Sequence, residues 1–122
     1  MLSLNAGKTE YVIFRHPNKP LSNNFKLKIG GKRIFPSDHI RYLGFLLDSD
    51  VSWKSQINAV AVKLKLANGA LAKLRHHVPR DVLISVCHAI FGSHLQYCST
   101  IWGQSSPTLV NRISVLQNHA LR

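Results

Sequence analysis

The spacing of hydrophobic residues changes character near the middle of the chain. Before residue 48, short apolar stretches alternate with polar residues or are interrupted by glycine, proline and asparagine, as in strands and turns. After residue 52, apolar residues recur every three or four positions, as on one face of an α-helix. The pattern predicts an α+β protein, with a small antiparallel strand and hairpin part over about 9–47 and a helical bundle over about 52–122.

A β-hairpin around Gly30-Gly31 is the clearest local prediction. Residues 25–29 alternate apolar side chains with lysines, and residues 32–35 return after the two glycines. Such a hairpin places several basic side chains together on one solvated side. They are Lys26, Lys28 and either Lys32 or Arg33. That side is either the wet face of a two-layer structure or a face that contacts phosphates.

Two more apolar stretches predict strands, Tyr11–Phe14 and Ile40–Leu47. Gly44 lies inside the second one, where glycine weakens a strand unless a neighbour must approach the backbone closely. A bulge or plain close packing is the alternative explanation. Residues 48–52 then predict a turn, with Ser52 or Asp50 as the N-cap of the first helix.

The longest helical pattern runs from Trp53 to Val78 and carries two apolar stripes. The stronger stripe consists of Trp53, Ile57, Val60, Leu64, Ala67, Leu71, Leu74 and Val78. The weaker stripe, on the opposite side, consists of Ala59, Val62, Leu66 and Ala70. A helix with two apolar faces either lies in the centre of a bundle or docks a partner. Lys63 and Lys65 lie between the stripes.

Shorter helical patterns follow Pro79. One runs from about Arg80 to Phe91 and is expected to end at Gly92-Ser93, and a second covers 94–102. A loop ends in Ser106 and Pro107, which suit the N-cap and first-turn positions of a final helix. The apolar stripe of that helix consists of Leu109, Ile113, Leu116 and Ala120.

The charge of the chain points to a polyanionic partner. Sixteen lysines and arginines against five acidic residues give a net charge of +11 in 122 residues. A basic surface of this kind suggests a polyanion, either nucleic acid or an anionic membrane, although it could also serve acidic partners elsewhere in the same protein. With neither a membrane-length apolar run nor a signal peptide in view, the sequence predicts an intracellular protein, nuclear or cytoplasmic, with no membrane partner.

Candidate metal and phosphate sites in the sequence are weak. Cys87, His88, His94 and Cys98 could bind zinc chemically, but their spacing matches no common zinc finger, and the cysteines fall in apolar helical patterns. Residues 5–9 suggest a phosphate-binding loop. They lack its first glycine, and a strand rather than a helix is predicted behind them.

Catalytic carboxylates are equally scarce. Asp48 and Asp50 lie two residues apart in a predicted turn, whereas a two-metal site needs carboxylates from separate elements. The sequence therefore shows no complete catalytic site and no metal site.

Several segments, taken in order, resemble one family. They are residues 4–14, 40–48, 52–53, 95–103 and 116–122. Their order and spacing are similar to the region that follows the catalytic Asp-Asp loop in the reverse transcriptase of non-LTR retrotransposons, the jockey-like long interspersed elements of animals. The resemblance covers essentially the whole chain.

The resemblance implies that residues 1–48 are the C-terminal part of a polymerase palm and that 49–122 are a helical thumb. In that family the lysine matched by Lys8 lies near the phosphates of the incoming nucleotide and is a proposed general acid. The strand matched by residues 42–44 is the primer grip, which holds the 3′ end of the primer. The expected nucleic-acid contacts are Tyr42, Leu43, Gly44, Lys26, Lys28, Lys63 and Lys65.

The same resemblance sets a limit on activity. The metal-binding aspartates of the family precede the position of Met1, and both ends of the chain look cut. The chain alone is therefore expected to be inactive and to bind no cofactor, whereas the full-length family enzyme would use Mg²⁺. The expected partners are the template–primer duplex and the rest of the palm and fingers. The alternative is a basic helical module that binds proteins, or nucleic acids in general, without catalysis.

Overall fold

The computed structural model describes residues 5, 7–19, 25–97 and 99–121. The chain divides into two compact units, Met1–Trp53 and Lys54–Arg122. Among the described residues, two antiparallel strand pairs precede four helices, which confirms the predicted α+β class. The assignment of palm and thumb stays a prediction.

The first hairpin joins strands β1 (Leu27–Ile29) and β2 (Lys32–Ile34). Its strands are antiparallel, and Ile29 lies opposite Lys32. The two turn glycines between the strands have φ of 55° and 80°. Positive φ at both central positions is typical of a type I′ turn, whose twist matches that of the strands it joins. The predicted hairpin is confirmed.

The second hairpin corrects a prediction. The apolar pattern of residues 40–47 predicts one strand, but these residues contribute to two, β3 (His39–Tyr42) and β4 (Phe45–Asp48). The strands pair antiparallel across a turn formed by Leu43 (φ 47°) and Gly44 (φ 89°). Gly44 therefore lies in a turn rather than inside a strand. Glycine suits this position because it adopts a positive φ without a steric penalty.

The strand predicted at Tyr11–Phe14 is absent. Tyr11 forms an isolated parallel bridge with Pro36, and the Ser37 N–H donates to the Tyr11 carbonyl (2.9 Å). Proline has no N–H, so it cannot extend this bridge into a ladder. A second backbone contact follows at Arg15, whose N–H donates to the Ser49 carbonyl (2.9 Å).

Helix α1 (Lys54–Leu74) is the central element of the helical unit. It packs against both α2 (Arg80–Gln96) and α4 (Pro107–Ala120). Its buried apolar residues confirm the stronger predicted stripe from residue 57 to residue 71. They are Ile57, Val60, Ala61, Leu64, Ala67 and Leu71.

Two helix ends differ from the sequence prediction. Helix α1 ends four residues before Val78, where the Leu74 carbonyl accepts from the N–H groups of His77 (2.8 Å) and Val78 (3.2 Å). Helix α2 continues through Gly92, which was expected to end it. A single interior glycine costs a helix only about 1 kcal/mol relative to alanine, and packing overrides that cost.

Helices α3 (Ser99–Trp102) and α4 each contribute a buried side chain to the helical unit. Helix α3 buries Trp102, whose Nε1 donates to the Tyr97 carbonyl (3.0 Å). Helix α4 begins at Pro107 as predicted and buries Ile113 against the unit's core. In the parts of the chain that the structure describes, no helix is both long and apolar enough to cross a membrane.

Candidate nucleic-acid interface

The solvated face of the first hairpin carries a like-charged cross-strand pair. Lys28 lies directly opposite Arg33, and both side chains are exposed. Lys26, which is also exposed, directly precedes β1, and the strand alternation continued by one residue would place it on the same side as Lys28. Lys32 pairs with Ile29 and therefore belongs to the other face. The register thus resolves the choice that the sequence left open in favour of Arg33.

An exposed aromatic ring adjoins this basic face. The Arg33 guanidinium lies 5.2 Å from the centroid of the Phe35 ring, within the range of a cation–π contact. Phe35 is 67% exposed. A guanidinium beside an open ring offers a charge for a phosphate and a surface on which a base can stack. We call Lys26, Lys28, Arg33 and Phe35 the basic face.

The opposite side of the first hairpin fixes the orientation of the basic face. Ile34 is buried, and Leu27 and Ile29 are half-buried. Since a register shift by one residue would move these apolar side chains into solvent, burial holds the basic residues outward. Like charges directly opposite each other destabilise a strand pair. The hairpin therefore carries this charge pair at a cost to its own stability.

The tip of the second hairpin presents the residues matched to the primer grip. Tyr42 and Leu43 are exposed, and Gly44 forms the turn with Leu43. Beneath the tip, the Tyr42 ring packs edge-on against Phe45 at 6.1 Å, and Phe45 lies 6.0 Å from the Trp53 ring. Phe45 is buried, so the tip projects from a small aromatic cluster.

Leu43 occupies a strained backbone position. Its φ of 47° lies in the left-handed region, where a leucine costs roughly 1–2 kcal/mol relative to the right-handed helical region. Turns of this type ordinarily hold asparagine, aspartate or glycine at that position. The Leu43 side chain is 70% exposed. Strain of this kind is common at functional sites.

Lys8 lies exposed in a separate turn organised by Asn5. The Asn5 carbonyl accepts from the Lys8 N–H (3.0 Å) and the Thr9 hydroxyl (2.9 Å), while its Oδ1 accepts from the Gly7 N–H (3.0 Å). Residues 9–16 are not helical, unlike the segment after a phosphate-binding loop. Leu4 and Ala6, which belong to the segment 4–14 that resembles the family, lie outside the described residues.

The two neighbouring aspartates serve the chain's own turn. Asp50 Oδ1 accepts from the Ser52 N–H (3.1 Å), and the buried Asp48 accepts from the Ser52 hydroxyl (3.3 Å). Within residues 5, 7–19, 25–97 and 99–121, no three His, Cys, Asp or Glu side chains are grouped as a metal site would require. Of the zinc candidates, Cys87 is half-buried, His88 is exposed, and Cys98 lies outside the described residues.

Lys63 and Lys65 of α1 do not form one patch. Lys63 and Lys65 are both exposed, but they flank Leu64, which is fully buried. At 3.6 residues per turn, residues two apart are rotated by about 200°, so their side chains point about 160° apart around the helix axis. Lys63 and Lys65 therefore border opposite edges of the exposed stripe that contains Val62 and Leu66.

The structure thus separates the predicted contacts into distinct places. The basic face and the second hairpin tip belong to the first unit, and Lys63 and Lys65 belong to the second. Sequence reasoning missed the Arg33–Phe35 contact and the turn at Leu43. An X-Gly pair between two apolar runs is a signal for the latter, since it is the pattern of a two-residue hairpin.

Comparison with known proteins gives one informative result. No protein-family model matches the chain, and no solved structure matches it. The chain is 26% identical, over 125 aligned residues, to the RNA-directed DNA polymerase from mobile element jockey of Drosophila funebris. The match covers 99% of this chain but 13% of that relative. At this identity, it supports a relationship between the chain and reverse transcriptases of mobile elements.

Proposed function

We propose that this chain contributes nucleic-acid binding to an RNA-directed DNA polymerase of a non-LTR retrotransposon. Residues 1–48 would form the end of the palm with the primer grip, and 49–122 the thumb. The observation that carries the proposal is the match to the jockey polymerase, which runs through both units rather than through one motif. The net charge of +11 supports a polyanionic partner.

The basic face would contact the backbone of the template–primer duplex. Its exposed lysines and arginine have the chemistry of phosphate contacts, and Phe35 could stack on an unpaired base at the edge of the duplex. Its like-charge repulsion would be relieved when a phosphate lies between Lys28 and Arg33. Lys63 and Lys65, from the thumb, would add further phosphate contacts.

The test is the salt dependence of binding to an RNA–DNA hybrid. The slope of log affinity against log salt is negative, and each neutralised phosphate makes it steeper by about 0.7–0.9. K28Q/R33Q removes two such contacts and should therefore make the slope shallower by roughly 1.5. K19Q/K73Q removes the same charge from exposed lysines outside the proposed contacts and serves as the control. The proposed interface fails if affinity is flat with salt or if both double variants lose the same slope.

The second hairpin tip would form the primer grip. Its exposure and the left-handed Leu43 support this role, because non-glycine residues in this backbone region cluster at sites that contact ligands. A recessed primer 3′ end should then bind more tightly than a blunt duplex of equal length. L43A should remove that preference, whereas L66A, at an equally exposed leucine of α1 (71% against 70%), should keep it. Equal affinity of the unaltered chain for both ends would contradict the primer-grip role.

Polymerisation itself would depend on residues beyond the described elements. Two-metal phosphoryl transfer needs carboxylates converging from separate elements, and Mg²⁺ would be held by such residues in the larger enzyme. The chain would supply duplex positioning, with Lys8 available for the phosphates of the incoming nucleotide. Primer extension by the chain alone in the presence of Mg²⁺ should yield no product. A templated, extended primer would refute this division of roles.

A second candidate function is the binding of a protein through α1. Val62 and Leu66 are exposed on the side of α1 opposite its buried stripe. Lys63 and Lys65 border this surface, so a second copy would bring lysine against lysine. The surface therefore suits an acidic amphipathic helix.

A synthetic helical peptide with one leucine face bordered by glutamates is the probe for this second function. V62S/L66S should abolish its binding while hybrid binding is retained. Equal peptide affinity of both proteins would exclude this surface.

A further inference from the structure

Residues of helices α1, α2 and α4 line a cleft, partly open to solvent, that none of the predicted contacts uses. Its volume is about 820 Å³, within the range of about 300–1,000 Å³ typical of small-molecule sites. Residues from both sides of the α1–α2 connection and from the end of α4 line it. All of them belong to the helical unit.

Basic side chains predominate among the polar residues that line the cleft. Arg75, Arg80, His88 and His119 line it and are exposed. No aspartate or glutamate is among its described lining residues. Guanidinium groups present planar pairs of donors that match the oxygens of a phosphate. An anion is therefore the charged part of the ligand that fits.

The rest of the lining suits an organic body rather than a bare ion. Leu71 is buried and Leu83 half-buried in the lining, which gives the cleft an apolar floor. Asn68 lines it too. Its Nδ2 donates to the Leu116 carbonyl (3.0 Å), while its Oδ1 is buried without a hydrogen-bond partner among the described residues. An unsatisfied acceptor costs free energy, which a ligand amino group could recover after a small side-chain shift.

We propose that this cleft binds a nucleoside monophosphate, either free or as the phosphorylated terminal nucleotide of a strand. Arg80 and the Nη groups of Arg75, whose Nε donates to His76 Nε2 (3.1 Å), hold the phosphate. The apolar floor carries the base, and the imidazoles of His88 and His119 are available for stacking. The site is independent of the basic face proposed above, which lies in the other unit.

Calorimetric titration of the full chain with AMP tests the proposal. AMP should bind, and inorganic phosphate and adenosine should each bind at least about tenfold more weakly, because the cleft recognises both parts together. R75Q/R80Q should weaken AMP binding by about tenfold or more, since charged hydrogen bonds are the strong ones. K73Q, an exposed lysine of α1 outside the lining, should leave AMP affinity unchanged.

Two further measurements make the test decisive. Ile84 is an exposed lining residue, so I84E places a carboxylate in the cleft with little effect on the fold and should abolish AMP binding. Helical circular dichroism checks folding of each variant. K28Q/R33Q should bind AMP normally, which separates this site from the duplex interface.

Oligonucleotides with a 5′-phosphate or a 5′-hydroxyl distinguish the two sources of the ligand. Binding of AMP identifies a free nucleotide as a ligand. If the 5′-phosphorylated oligonucleotide binds while AMP and the 5′-hydroxyl oligonucleotide do not, and if R75Q/R80Q loses that binding, the ligand is a strand terminus. The proposal is overturned if neither binds or if inorganic phosphate binds as tightly as AMP.

Discussion

The two units are stabilised in different ways. In the helical unit, α1 buries a continuous stripe in which Ile57 and Leu64 are fully inaccessible to solvent. In the hairpin unit, Ile34 and Phe45 are the buried apolar side chains among the described residues, and Phe14, Phe25 and Phe35 are exposed. The helical unit therefore depends on side-chain packing, whereas the hairpin unit depends mainly on turn geometry and backbone hydrogen bonds.

This difference matches where the proposed contacts lie. The hairpin unit leaves Phe35 and the lysines and arginine of the basic face at the surface, as the proposed nucleic-acid contacts require. It does so with little core of its own. The tryptophans allow the two units to be followed separately, since Trp53 packs near Phe45 and Trp102 is buried in α3.

The largest expected effect is in the packed unit. L64A removes a fully buried side chain and should lower the free energy of unfolding by about 2–5 kcal/mol. L66A, two positions on at a 71% exposed residue, should change it by less than about 0.5 kcal/mol. Urea unfolding followed by helical circular dichroism measures both. Similar losses in the two variants would mean that packing does not dominate this unit.

A turn substitution tests the other unit. G44A places a Cβ at φ 89° and should destabilise the second hairpin by roughly 1–2 kcal/mol. Urea unfolding followed by the fluorescence of Trp53 measures this loss of stability. The W102F background removes the signal of the other tryptophan.

Gly92 provides the matched control for that substitution. It lies within α2, and an added Cβ would meet open space there, so G92A should stabilise the helix by roughly 0.5–1 kcal/mol. If G44A were as well tolerated as G92A, the hairpin unit would not depend on its turns.

Relieving the strain at the tip should have a smaller effect of opposite sign. L43N suits the left-handed backbone and should stabilise the second hairpin by up to about 1 kcal/mol. The same change should reduce the preference for a recessed primer end. A variant that gains stability and keeps the preference would argue that Leu43 is not part of the interface.

The smallest effect concerns the charge pair of the basic face. K28T removes the repulsion with Arg33 and should stabilise the first hairpin by about 0.2–1 kcal/mol at low salt. The gain should shrink as salt screens the charges. Nuclear magnetic resonance of the hairpin amides at two salt concentrations measures it. A gain that does not change with salt would show that repulsion is not its cause.

The sequence by itself determined the elements whose signals are local. Gly30-Gly31 between alternating segments specifies a two-residue hairpin, and the stripe from Ile57 to Leu71 specifies the buried face of α1. The α+β class follows from these patterns. These local patterns are reliable because each depends on the geometry of one element. The matched relative supports the reverse-transcriptase part of the resemblance.

Only the tertiary structure decided what depends on neighbours. Residues 40–47 are apolar enough for one strand, and it is the pairing of His39–Tyr42 with Phe45–Asp48 that makes Leu43 and Gly44 a turn. The cleft at Arg75 and Arg80 follows from the packing of three helices. Such features bring together residues that periodicity along the chain cannot relate, because they are set by contacts between elements.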